Sequence, residues 1–246
     1  MKFSFPMQNA KLVKRYKRFL ADAILQDTGE LVTAHCPNTG AMTSCGKPGD
    51  IVVLSYQPAA HRKLDYTWEL TATTGGYIGI HTARANPVVE EAIRDGQIAE
   101  LQSYSHIQRE YRIGNSRMDF YLTDPVNHLP PCLVEVKNVT LFQNDVIRFP
   151  DAPTRRGQRH LLQLIEARKQ GLRAIMFYLV NRPEGKTFQI AWDIDKDYGE
   201  LLNQAIATGV EVLVYRARST PERITIDEPL AFQQHPSAKG DRICRQ

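Results

Sequence analysis

Two carboxylates and a lysine on neighbouring strand-like runs are the residues of this sequence best spaced to do chemistry. The first run is Ser116-Arg117-Met118-Asp119-Phe120-Tyr121-Leu122 and the second is Cys132-Leu133-Val134-Glu135-Val136-Lys137-Asn138. Alternation along a strand sets Met118, Phe120 and Leu122 on one face and Asp119 on the other; Val134 and Val136 part in the same way from Glu135 and Lys137. If the nine residues 123–131 form the loop of an antiparallel hairpin, Leu122 faces Cys132 and Asp119 faces Glu135, with Cβ atoms about 5 Å apart. Like charges opposed in this way destabilise a sheet unless a cation offsets them. Mg2+ or Mn2+ suits the position: Mg2+ takes oxygen ligands and keeps several waters, so two carboxylates and a backbone carbonyl suffice. Such a metal acidifies a bound water and neutralises charge on a scissile phosphate. Lys137 can orient that water or steady the phosphorane as charge develops. The chemistry expected is metal-dependent phosphodiester hydrolysis, with Asp119 and Glu135 as metal ligands. An ordinary solvent-facing hairpin fits the same letters, since an E-x-K triplet is common.

The segment Phe149-Pro150-Asp151-Ala152-Pro153-Thr154-Arg155-Arg156-Gly157-Gln158-Arg159-His160 leads into an amphipathic run. His160, Leu164 and Ala167 share a helix face directed at the sheet. Arg155, Arg156 and Arg159 cluster in the first turn, where cations oppose the helix dipole. Phosphate held there by the cations and the free N–H groups accounts for the placement; an exposed arginine-rich turn is the alternative. Arg155 and Arg156 are therefore read as nucleic-acid contacts and His160 as a catalytic candidate, although a lone histidine on such a face also fits a core position.

A second cluster, His35-Cys36-Pro37-Asn38-Thr39-Gly40, places a thiol beside an imidazole. Adjacent strand residues point to opposite faces, so His35 is badly placed to activate Cys36 as a nucleophile. The following letters read as turn chemistry. Zinc on His35, Cys36 and Cys45 remains open, but Cys-x8-Cys lacks the usual tight spacing.

The elements that must position these residues divide the chain in two. The chain has 246 residues, with 31 Lys+Arg against 27 Asp+Glu. Residues 1–84 hold ten Lys+Arg and six Asp+Glu, a net of +4, and residues 85–246 hold 21 of each, a net of zero. Five of the ten cations fall in Lys11-Leu12-Val13-Lys14-Arg15-Tyr16-Lys17-Arg18-Phe19. Cations release counterions from phosphate and rings stack on bases, so Lys14, Arg15, Tyr16, Lys17 and Arg18 suit a nucleic-acid backbone. They equally suit a solvated edge strand guarded by lysines. Strand-like runs at 18–25, 30–34, 50–56 and 66–73, broken by turn signals, predict a small all-β, OB-like barrel over residues 1–84. Over residues 85–232 helices and strands alternate. A helix begins near Pro87 and stops at Asp95-Gly96, and another covers 154–169 with Gly171 as its stop. Buried strands follow at 173–180 and 186–194, then a helix at 197–208 and a strand at 210–215. The pattern predicts an α/β domain, α+β for the chain as a whole. Residues 233–246 lack periodicity and are expected to fray. No stretch approaches the ~18 apolar residues of a membrane span, the start has no apolar core of a signal peptide, and the four scattered cysteines suit a reducing cytoplasm. Secreted, fibrous, membrane-spanning and disulfide-framework classes are excluded on these grounds, and no membrane partner is expected.

The chain resembles the bacterial sugar fermentation stimulation protein A family. The resemblance rests on Arg15-Tyr16-Lys17-Arg18-Phe19-Leu20-Ala21-Asp22, His35-Cys36-Pro37-Asn38-Thr39-Gly40-Ala41-Met42, Ser116-Arg117-Met118-Asp119-Phe120, Val134-Glu135-Val136-Lys137-Asn138-Val139-Thr140-Leu141, Phe149-Pro150-Asp151-Ala152, Arg156-Gly157 and His160-Leu161. It covers nearly the full length, up to about Phe232. It implies an OB-like domain followed by a domain similar to PD-(D/E)xK nucleases, whose pattern falls on Asp119, Glu135 and Lys137. A helical glutamate upstream, matched by Glu91, often completes the metal site of that fold. The chain departs from the bare pattern in having Arg117-Met118-Asp119 rather than a Pro-Asp pair. The resemblance further implies DNA binding without sequence preference and a tie to sugar (maltose) metabolism. A DNA-binding regulator that keeps the nuclease fold without cleaving is the other function it allows.

Overall fold

The computed structural model describes residues 1–58, 60–114, 116–126 and 128–235. Six strands build the first unit: β1 (Met7–Tyr16), β2 (Leu20–Leu25), β3 (Leu31–His35), β4 (Ile51–Tyr56), β5 (Tyr66–Thr73) and β6 (Gly76–Gly79). β1 runs antiparallel to both β2 and β4, and β2 to β3. β4 pairs antiparallel with β5, and a parallel pairing of Ala34 with Tyr66 and His35 with Thr67 closes the ring through β3 and β5. The circuit β1-β2-β3-β5-β4-β1 is that of an OB-like barrel. Alternation fills it: Ala10 and Leu12 from β1, Ala21, Ala23 and Leu25 from β2, then Val32, Leu54 and Trp68.

The basic run is flanked on both sides only at its start: Lys11 pairs with β2 and β4, whereas Lys14, Arg15 and Tyr16 pair with β2 alone, as the edge-strand alternative expects, and Lys17 and Arg18 form the turn into β2.

Four successive residues of β4, Val52 to Ser55, are buried, because both faces of the strand are covered. Leu54 enters the barrel, while Val53 and Leu70 face outward into the core of the second unit. The barrel wall is thus also a wall of the α/β layers, and the two units share apolar burial.

The second unit starts with α1 (Ala85–Arg94) and continues through β7 (His106–Ile113), β8 (Ser116–Thr123), β9 (Cys132–Val139), β10 (Leu141–Gln143) and β11 (Val146–Phe149). After α2 (Arg155–Lys169) come β12 (Arg173–Val180), β13 (Thr187–Ile190), α3 (Lys196–Ala207), β14 (Glu211–Ser219), β15 (Ile224–Pro229) and β16 (Ala231–Phe232). The main sheet has the order β15-β14-β12-β9-β8-β7, with β9, β12 and β14 parallel and the outer strands antiparallel. A smaller sheet orders β10-β11-β13-β16. β12 buries both faces, which explains its unbroken apolar run. Ile175, Phe177 and Leu179 meet α1, whereas Ala174, Met176 and Tyr178 meet α2 and α3.

The helix signals act where the sequence places them. Thr154 caps α2, its hydroxyl accepting the Gly157 N–H at 3.0 Å, as a threonine N-cap does. Asp195 caps α3 by accepting from Tyr198 N–H at 2.9 Å and also takes the Thr154 N–H at 2.8 Å, so one buried carboxylate ties the starts of both helices. At the junction of the units the buried Glu69 of β5 grips Arg84 through two bonds of 2.7 and 3.1 Å. This fixes the start of α1 and with it Asn86. Among the described residues no helix is long and apolar enough to cross a membrane. The expected fraying concerns residues that, beyond His235, lie outside the described ones.

Candidate functional site

The β8–β9 hairpin has the register the sequence predicts, with Leu122 opposite Cys132 and Phe120 opposite Val134. The ladder ends before Asp119. On the other flank, Glu110 takes a left-handed φ of 51° between the paired Arg109–Phe120 and Tyr111–Met118. The distortion breaks the alternation: Phe120 and Leu122 pack with α1, whereas Met118 packs with α2 and α3. Met118 therefore does not share their face, contrary to the sequence expectation. What it frees is the Asp119 side chain, whose Oδ2 accepts the Val136 N–H at 2.7 Å and whose Oδ1 accepts from Asn86 Nδ2 at 2.7 Å.

Glu135 lies on the α2 side of β9, beside the helix that carries His160. Its Oε1 accepts from Lys137 Nζ and meets His160 Nδ1, and those two nitrogens are 3.1 Å apart. Its Oε2 is buried with no hydrogen-bond partner. Burial presses the Glu135 pKa upward, but the His160 hydrogen bond and the Lys137 charge outweigh it and hold the carboxyl below its ordinary range. Asp119 behaves in the opposite way. Burial and the Glu135 charge push it up to about 6, against the opposing pull of the Val136 N–H, Lys137 and Asn86. The two acids are thus set apart by their surroundings, a pattern common where protons or cations are handled.

Asp119 and Glu135 are the donors this site offers a cation. An orphaned buried carboxylate oxygen next to a second carboxyl that resists ionising fits a hard, oxygen-seeking divalent ion. Among the described residues no third His, Cys, Asp or Glu joins them in a metal-holding group. Glu91, the ligand the resemblance suggested, is elsewhere: its half-exposed carboxylate pairs with the amino group of Met1. α1 instead contributes Asn86, one turn earlier.

The description "SfsA N-terminal OB domain" matches residues 13–80, and "Sugar fermentation stimulation protein RE domain" matches residues 83–223. A sugar fermentation stimulation protein homolog of Geotalea uraniireducens is 49% identical over 234 residues, covering 95% of this chain and 100% of that protein. The chain belongs to the sugar fermentation stimulation protein family. Another member, from Geobacter metallireducens, is 47% identical over 232 residues, spanning 94% of this chain and 98% of its own. A solved structure described as Pyrococcus furiosus SfsA in complex with Ca2+ superposes with a TM-score of 0.84 at 26% identity, covering 95% of this chain and 98% of that one.

The basic residues of this SfsA-family chain fall into two groups. Lys14 is engaged by Asp22 at 3.4 Å and lies over the Tyr16 ring, whose hydroxyl donates to the same Asp22 at 3.0 Å. Arg15 Nη2 donates to three backbone carbonyls, Arg18 O, Asn38 O and Gly40 O, at 2.7–3.0 Å. It organises the turn instead of presenting its charge. Lys17 and Arg18 are exposed in left-handed turn positions. Arg155 and Arg156 are exposed on the first turn of α2, about one turn before His160, and Arg159, directly before it, is exposed as well.

In the other cluster His35 is exposed and Cys36 buried, as opposite strand faces require. Burial raises the Cys36 thiol and pushes Cys45 up to about 12, and among the described residues the two form no metal-holding group with His35. The residue sequence reasoning missed is Asn86. Its only local signal is its place before Pro87, and nothing in that marks a contact to a strand 33 residues away.

Proposed function

We propose that this SfsA-family protein binds DNA without sequence preference and cleaves it by divalent-metal-dependent phosphodiester hydrolysis. The observation that carries the reading is the convergence of Asp119, Glu135 and Lys137, with Glu135 Oε2 left without a partner. Mg2+ or Mn2+ held by Asp119 and Glu135 would supply an acidified water and neutralise phosphate charge. Asn86 and the Val136 N–H aim Asp119. Lys137, anchored on Glu135 and touching His160, sets a positive charge and a proton-bearing nitrogen where the phosphate enters. Lys17, Arg18, Arg155 and Arg156 supply phosphate contacts. The Ca2+ in the P. furiosus relative supports a site for a divalent ion with oxygen donors. Work in the cytoplasm, and the tie to sugar metabolism in the family's name, belong to this same reading.

One observation favours a second reading, a DNA-binding regulator that keeps the fold without cleaving. Lys137 already matches the Glu135 charge and His160 adds a polar contact, so the fold stands without a metal. Cleavage of labelled linear, single-stranded and branched DNA with Mn2+ or Mg2+ decides between them. Cutting that requires metal and is lost in Lys137→Ala supports the nuclease; intact binding with no cutting of any substrate supports the regulator.

A further inference from the structure

Between the barrel and the α/β unit lies a cleft of about 330 Å3, and its walls are the two sequence motifs that the acid site leaves unused. The barrel side is Asn38-Thr39-Gly40 with Arg18 and Thr82; the other is the Phe149-Pro150-Asp151 loop with Asn138 and Thr154. Neither unit makes the cleft alone. Gly40 is pressed so closely on Asp151 that a Cβ would come within 2.2 Å of Oδ2, and the Met42 N–H donates to that oxygen at 3.3 Å. Arg15 holds the barrel wall in shape, tying the β1–β2 turn to the Asn38–Gly40 segment.

We propose that this cleft receives one unpaired nucleotide, which makes the substrate of the enzyme single-stranded nucleic acid. The inference rests on the nuclease reading for its place along the strand and adds the substrate class. Position comes first. Thr154, in the cleft wall, caps the helix that bears Arg155, Arg156 and His160, whereas Asn138 turns to the face of β9 opposite Lys137. A chain with a phosphate at Arg155 or Arg156 on that first turn has its neighbouring nucleotide beside the cleft. Size is second: the volume lies at the small end of ligand pockets, roughly 300–1,000 Å3, enough for one nucleotide and closed to a duplex. Chemistry is third. Arg148 is engaged by Asp193 and Gln143, so Arg18 is the cation with no ion pair among the described residues lining the cleft. The Asn38 and Asn138 side-chain oxygens are taken by the Gly40 N–H and by Asn181, which leaves their amide N–H groups for a base edge, and Pro150 adds an apolar face beside Phe149, whose ring packs on Tyr178 and Tyr198.

The test is binding by the full-length protein in chelator, read as fluorescence anisotropy of labelled oligothymidine, oligouridine and a blunt DNA hairpin. Variants are Arg18→Glu, which reverses the rim charge, and Thr39→Trp, which fills the cleft; both sites are exposed, so unchanged melting temperatures verify folding. The expected result is tighter binding of a single strand than of the hairpin, weakened about tenfold in each variant, with hairpin binding little changed in Thr39→Trp. The DNA and RNA arms show which sugar is accepted. Equal affinity for strand and hairpin, or variants that bind oligothymidine and oligouridine as wild type does, would overturn the assignment. Metal-dependent cutting lost in Lys137→Ala together with such a result leaves the nuclease standing and removes the cleft from it. Single-strand preference without cutting does the reverse.

Discussion

The side-chain amide of Asn86 donates to Oδ1 of Asp119 at 2.7 Å, linking the first turn of α1 to the strand that carries the acid pair. With the Val136 N–H on the other oxygen, this bond favours the ionised carboxylate against burial and the neighbouring Glu135. Removing it in Asn86→Ala should move the Asp119 pKa above the wild-type value of about 6. Carboxyl NMR titration of the metal-free protein checks this. An unmoved titration would show that the amide does not aim the acid.

The raised Asp119 pKa also sets a pH dependence of stability. The folded state holds the proton more tightly than the unfolded chain, between the ordinary 3.8 and about 6. Stability is therefore favoured below that window and falls as pH rises through it, by roughly 3 kcal/mol at 1.36 kcal/mol per unit. Glu135, held low, acts oppositely, losing its contribution as pH falls below the ordinary carboxylate range. Metal-free wild type should lose several degrees of melting temperature across the Asp119 window, and Asp119→Asn should flatten that loss. Added Mg2+ or Mn2+ should stabilise more at pH 7 than at pH 5, since only the ionised pair binds it.

Glu135 is a buried anion matched by two partners on one oxygen. Glu135→Gln leaves Lys137 and His160 facing each other without it and should cost about 3–5 kcal/mol. Urea unfolding in chelator measures the loss. A change below 1 kcal/mol, on the order of an exposed pair, would mean that solvent already screens the cluster.

Arg15 and its neighbours should separate stability from binding. Arg15→Ala removes three charge-assisted bonds to carbonyls and should destabilise by about 2–4 kcal/mol. Replacing Lys17, Arg18, Arg155 and Arg156 together should leave the melting temperature nearly unchanged. It should lower the salt dependence of single-strand binding by about 0.7 per lost contact. Thermal melts and binding at several salt concentrations report the two effects independently.

The contact of Gly40 with Asp151 predicts coupling between the units. Gly40→Ala sets a Cβ against the carboxylate and should cost about 1–3 kcal/mol. In an Asp151→Gly background the same change should cost little, so a double-mutant cycle should show strong non-additivity. Additive effects would mean that the loop yields without strain.

Local pattern reaches far in this chain. The apolar run of β12, the Thr154 cap and Gly171 stop of α2, and the Leu122–Cys132 register are legible because each rests on period, cap or turn chemistry within a few residues. Strand β7 is not legible: His-Ile-Gln-Arg-Glu-Tyr-Arg-Ile alternates weakly because it is an outer strand of the sheet with largely exposed side chains. The short β10 and β11 exist only through pairing with each other and with β13.

That Asp119, Glu135 and Lys137 sit on adjacent strands is readable from the letters alone, since side-chain alternation and loop length are local properties. Which residue of α1 meets them, Asn86 in place of Glu91, was left to the long-range packing, because that depends on how Arg84 and Glu69 lock the helix to the barrel. It also decided that Arg15 is structural and Arg18 free. Both are cations in the same run, but one reaches carbonyls that the fold brings from Asn38 and Gly40, and the other stands exposed in a turn with no ion pair among the described residues.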